Sequence, residues 1–186
     1  YVELLVGDVN TAKQYISDVH LNSDEARVPG MEAALTTLGD IYVVEGDYES
    51  AERMYRTHYD RAPIDVSATA SLDFVVLELA RGRLNVAEKY ADYAMALSTT
   101  SSSYEQAIGR LARGMVQVDR DGVKAEALLR EAIERLRGLD VAVPMMQAII
   151  WLAIALMRQG DAVAASRVLL QEAALLDQLS SSGWLL

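Results

Sequence analysis

Few residues in this chain are able to do chemistry. His20 and His58 are the only histidines, each near the end of a helix and without a second ligand at helical spacing, so neither belongs to a metal site. Asp119-Arg120-Asp121-Gly122 begins as a calcium loop begins, yet the third alternate acid and the closing glutamate are missing. A chain without cysteine has no thiolate nucleophile, thiolate zinc site or disulfide. No Gly-x-Ser-x-Gly elbow presents a serine, and no glycine-rich loop cradles a phosphate. The expectation is a non-catalytic chain with no cofactor and no metal, whose chemistry is recognition.

The elements that must carry such recognition are helices. Leu38 and Tyr42 share one face of a first helix, and Ala51 and Tyr55 repeat that spacing on a second. Gly39 and Ala51 are small where two helices would cross, which lets the backbones approach. Gly46-Asp47 supplies the turn between them: glycine accepts a positive φ at a helix end, and aspartate caps the next helix. Pro63 stops the second helix. One long amphipathic helix over the same residues is excluded by Gly46-Asp47 in mid-pattern.

The arrangement recurs. Gly7, Gly46, Gly82 and Gly160 are each followed five residues later by alanine, at Ala12, Ala51, Ala87 and Ala165. A further turn around Arg120 lacks the glycine in register but keeps Ala125, Leu129 and Ala132. Pro29, Pro63 and Pro144 fall at boundaries between pairs, and strand signals are essentially absent. The reading is one all-α domain over 1–186, with helix pairs at 1–21 (partial), 31–62, 65–98, 102–138 and 144–179, nine helices in all. Both ends read as cuts: Tyr1 to Val6 covers only the end of a helix, and Trp184-Leu185-Leu186 opens another apolar segment. A fragment of a longer protein is expected.

Leu35, Leu38, Gly39, Tyr42, Gly46, Tyr48, Ala51, Tyr55 and Pro63 stand at the spacings of a tetratricopeptide repeat, and nearly the whole chain resembles that superfamily. The repeat is longer than the common 34 residues, which is similar to the looser arrays of large bacterial regulators. Gly160-Asp161, Ala165, Leu169-Leu170 and Glu172-Ala173 also resemble the helical repeat region of MalT-like, LuxR-type activators. The resemblance implies a right-handed α-solenoid of antiparallel hairpins whose concave surface is lined by the first helix of each pair.

Carried across residue by residue, the resemblance puts Thr36, Asp40 and Val43, then Leu72, Val76 and Leu79, on that surface. Arg110, Gly114 and Gln117 follow, and then Gln147, Ile150, Ile154 and Met157. The expected contact set is Thr36, Asp40, Val76, Arg110, Gln117, Gln147, Ile154 and Met157. The Lys, Asn and Arg with which chaperone-binding members clamp a terminal carboxylate are replaced by Thr36, Asp40, Leu72 and Val76, so that activity is not implied. The implied function is a protein-interaction scaffold holding a peptide or protein segment. The alternative is the effector-sensing segment of a bacterial transcription regulator, with a small-molecule effector as partner. A second copy of the chain, as a homodimer, would cover the same apolar row.

Charge and hydropathy narrow the partners. A net charge of −10 with no Lys/Arg cluster repels phosphate backbones, so no direct nucleic-acid binding is expected. The most apolar run, Ala148 to Met157, is far shorter than a membrane span and reads as a buried helix. With no signal peptide or lipidation motif visible, a cytoplasmic protein without a membrane partner is expected.

Overall fold

The computed structural model describes residues 14, 31–61, 67–97, 102–139 and 141–181. Among them all regular structure is helical, in the elements α1 (Met31–Glu45), α2 (Tyr48–Arg61), α3 (Ser67–Ala80), α4 (Leu84–Leu97), α5 (Ser103–Gln117), α6 (Gly122–Leu136), α7 (Ala142–Arg158) and α8 (Ala162–Ser181). The helix expected before Gly7, together with Ala12, His20 and Pro63, lies outside the described residues.

Each helix packs on the next. The odd-numbered helices also pack on one another, α1 on α3, α3 on α5 and α5 on α7, and each of α2, α4 and α6 bridges two of them. This order explains the composition of the helices. A bridging helix has one covered face and is amphipathic, whereas α3 (SATASLDFVVLELA) and α7 (AVPMMQAIIWLAIALMR) are covered on several sides and are apolar nearly all round. No described helix is long and apolar enough to cross a membrane.

Turn chemistry sets the pairs. Gly46 and Gly160 both adopt φ near +80°, a region open to glycine and strained for other residues. The aspartate after each glycine then caps the following helix: Asp47 Oδ1 accepts from the Ser50 amide at 3.1 Å and Asp161 Oδ1 from the Ala164 amide at 2.8 Å. Asp121 does the same for Lys124 at 3.0 Å without a preceding glycine. Helix α5 starts on a reciprocal capping box between Ser102 and Glu105.

Small residues let the helices close on one another. Ala51, Ala87, Ala125 and Ala165 are all buried. A methyl group on Gly39 would collide with the Tyr55 ring, and one on Gly114 with the Leu129 side chain. The main core runs from Ala68 to Val168, and a smaller cluster of Ala51, Tyr55, Phe74 and Leu77 fills the space between α2 and α3.

Candidate partner-binding surface

The candidate surface follows the odd-numbered helices, and its three parts differ in kind. On α1 the expected contact residues turn inward into a polar cluster. Thr36 Oγ1 lies 3.1 Å from His58 Nδ1 and 3.3 Å from Asp73 Oδ2, and His58 Nδ1 lies 3.0 Å from the same carboxylate oxygen. With Asp73 as a carboxylate, which only accepts, the Thr36 hydroxyl and the His58 Nδ1–H both donate to its Oδ2. One turn along α1, the Tyr55 hydroxyl donates to Asp40 Oδ1 at 2.6 Å.

Burial governs the charges in this cluster. Desolvation pushes the Asp40 carboxyl up to about 7, against the lowering effect of the Tyr55 hydrogen bond and with a further push from Asp73. Burial also raises Asp73, opposed by the bonds from His58 and Thr36. Both ring-nitrogen contacts fall on Nδ1, so Thr36, His58 and Asp73 do not form the relay of a nucleophilic triad, in which the base uses opposite ring nitrogens. The cluster positions α1 on α2 and α3.

On α3 and α5 the row is largely closed. Val76 and Leu79 are half-buried against the main core, and Leu72 is buried. In α5 the register differs from the sequence expectation by one residue. Gly114 meets Leu129 as Gly39 meets Tyr55, so the residues equivalent to Thr36, Asp40 and Val43 are Leu111 and Met115 of α5 and Val118 just after it, all buried. Arg110 instead pairs with Glu131 of α6 at 2.6 Å and with the Gln106 carbonyl at 3.0 Å, and Gln117 is buried. The offset arises because Gly114 precedes Ala125 by eleven residues whereas Gly39 precedes Ala51 by twelve.

On α7 the row opens. Ile150 is 45% exposed and Met157 57%, while Gln147 and Ile154 on the same stripe are half-buried. Trp151 is half-buried and packs against the core. Of the eight expected contact residues, α7 thus carries three on one accessible stripe. Thr36 and Asp40 belong to the polar cluster, Val76 to the core margin, Arg110 to the α5–α6 seam, and Gln117 to the interior.

Sequence reasoning missed His58, although the signal was present. It stands seven residues after Ala51 and three after Tyr55, on the inward face that those residues define. Among the described residues no three His, Asp or Glu side chains gather as a metal site would require. Compared with protein-family models, with curated proteins and with solved structures, the chain matches none.

Proposed function

We propose that the chain is a TPR-like solenoid acting as a non-catalytic interaction scaffold, and that it holds a peptide or protein segment along the α7 end of its odd-numbered row. The observation that carries this reading is the contrast along the row. Large apolar side chains are accessible at Ile150 and Met157, while the equivalent positions of α5 are sealed. Exposed aliphatic anchors beside an amide such as Gln147 are the pattern by which a groove takes an amphipathic segment and fixes its register. The sequential packing of helix pairs, with a buried alanine at each crossing, supports the solenoid.

The test is a pull-down with this chain followed by calorimetry on the captured partner. Ile150→Asp and Met157→Asp should each weaken binding by at least about tenfold, the size expected of a central apolar anchor. Val123→Asp, at a position 71% exposed on α6, should leave it unchanged. The reverse result would move the working surface to the bridging helices.

A second reading, the effector-sensing segment of a bacterial transcription regulator, is supported by a cavity of about 300 Å³ between α6, α7 and α8. A small-molecule sensor needs such a recess, and a peptide scaffold does not.

A further inference from the structure

The helix pairs keep one register, and the last pair fills it differently. Phe74 and Leu152 each precede their turn glycine, Gly82 or Gly160, by eight, so the seam of α2, α3 and α4 and the seam of α6, α7 and α8 are laid out alike. Thr36 and Ile150 each precede their pair's crossing alanine, Ala51 or Ala165, by fifteen, and Val43 and Met157 precede it by eight. Tyr55 and Leu169 follow that alanine by four, and Arg56 and Leu170 by five.

In the first pair these positions meet the next odd-numbered helix. Thr36 bonds Asp73 of α3, Tyr55 meets the Phe74 ring edge-on at 6.2 Å, and the Arg56 guanidinium sits over the same ring at 5.8 Å. In the last pair no further helix follows among the described residues, and the positions stand open. Leu169 is 45% exposed and Leu170 75%, beside the exposed Ile150 and Met157 of α7. Tyr55, Ala91 and Leu129, the counterparts of Leu169, are all buried.

The open face also lacks the fastening used in every seam within the chain. Glu52, Glu88 and Glu126 each follow their crossing alanine by one residue and hold the next odd-numbered helix or the residue that ends it. Glu52 pairs with Arg81 at 2.8 Å, Glu88 with Arg113 at 3.3 Å and with Arg120, and Glu126 accepts from Gln159 at 3.2 Å. Four residues further on, the same helices carry a charge, as Arg56, Asp92 and Arg130. Helix α8 has Ser166 and Leu170 at these two places. A glutamate that would grip an incoming helix is gone, and an exposed charge has become an exposed aliphatic side chain. The face is made for a partner that brings apolar surface and no charge.

A second copy of the chain meets that requirement with the same face. Two chains of net charge −10 repel wherever their carboxylates meet, and Ile150, Ile154, Met157, Ser166, Leu169 and Leu170 carry no charge. Head-to-tail docking on α1 is closed: Leu38 stands at the register position of Phe74, toward the preceding element, and it is buried together with Leu35 and Ile41. The four exposed side chains offer roughly 450 Å² per copy, so a two-fold contact takes about 900 Å² from them alone and reaches the ~1,200 Å² of a specific interface with their half-buried neighbours.

We propose that the chain forms a two-fold homodimer in which the α7–α8 face of one copy packs on the same face of the other. The proposal rests on the reading of α7 as a partner surface, names the partner, and extends the surface onto α8. An isologous contact of this kind closes at two copies.

The experiment is sedimentation equilibrium on the whole chain from about 1 to about 200 μM, where a small apolar interface gives a Kd on the order of tens of micromolar. The mass should rise from 20.4 kDa toward twice that value and stop there. Leu170→Arg restores the residue type of α2 and α6 at an exposed position, and should weaken association by at least about tenfold, as should Ile150→Asp. Val163→Asp, on the same helix at the exposed position equivalent to Val123, should leave it unchanged. Raising NaCl from about 50 to about 500 mM should tighten the dimer severalfold, because salt screens the repulsion between two acidic chains and removes no ion pair. A chain that stays monomeric, a mass that grows past the dimer, weaker association at high salt, or unchanged association in Leu170→Arg and Ile150→Asp would each overturn the proposal. A monomer whose captured partner is still lost by Ile150→Asp would sink the homodimer and leave α7 as a partner surface, whereas α7 variants that alter neither the dimer nor partner capture would sink both.

Discussion

The first three described helices and the last four solve one packing problem with different chemistry. Between α1, α2 and α3 the buried residues include His58, Asp73 and Glu78, joined by Asp40 and Thr36 at the margin. From α5 to α8 the buried described residues are apolar apart from Gln117. The aromatic stack likewise belongs to the first half, and the cavity to the second. The difference teaches that alanine and glycine at the crossings set the helix pairing. What fills the seams is then free to vary between rings, polar networks and open space.

The largest effect that would sharpen this contrast is truncation of the two seam centres. Phe74→Ala removes a ring that touches Tyr55, Tyr59 and Tyr90, and should cost about 3–5 kcal/mol. Leu152→Ala, at the equivalent position beside an existing cavity, should cost only about 2–3 kcal/mol, because fewer neighbours are lost. Urea denaturation of both variants measures the difference. Equal costs would mean that the second seam is packed as tightly as the first.

The next effect separates the halves by pH. An acid whose pKa is raised on folding binds its proton more tightly in the folded state, so its contribution is complete below the unfolded value and is lost as pH rises toward the folded one. For Asp40 the window runs from about 4 to about 7, and Asp73 acts in the same direction. The full shift corresponds to at most ~4 kcal/mol, which the partial exposure of Asp40 reduces to roughly 1–3 kcal/mol through solvent screening. Asp40→Asn keeps an acceptor for the Tyr55 hydroxyl and cannot ionise. It should flatten the decline and make the variant the more stable protein at pH 8. Hydrogen exchange read helix by helix should place the pH-dependent loss in α1 to α3, with α6 to α8 nearly constant. A uniform loss across all helices would remove the distinction between the halves.

What was legible in the sequence follows the same division. The turns at Gly46 and Gly160, the aspartate cap at Asp47 and the buried alanines depend on spacing within one helix or across one turn, and spacing is written in the chain. The all-helical class follows from them. The inner register of α5 was misplaced because its turn carries no glycine in register and its crossing glycine stands one residue nearer the next alanine. The inward face of His58 is legible from its spacing to Ala51 and Tyr55, but its partners are not, since Thr36, His58 and Asp73 come from three helices whose crossing alone brings them within 3.3 Å. The cavity is a difference in volume between two sets of side chains, and it becomes readable only after the register of both seams is known.

The smallest effect concerns the caps that begin α2 and α8. Asp47 accepts the Ser50 amide through one oxygen and the Ser50 hydroxyl through the other, at 3.1 and 2.5 Å, and Ser50 in turn receives Arg53 at 2.8 Å. Asp161 accepts the amide of Ala164 at 2.8 Å, and it is exposed. Losing a cap generally costs about 0.5–2 kcal/mol. Asp47→Ala should fall in the upper half of that range, because it also leaves the buried Ser50 hydroxyl without its acceptor. Asp161→Ala should fall near the lower end, since water replaces the lost bond. Thermal melts of the two single variants and the double variant provide the measurement. The helices are far apart in the packing order and share no hydrogen-bond partner, so the two costs should add. A larger loss from Asp161→Ala would make the second half the more dependent on its turns, and would reverse the contrast.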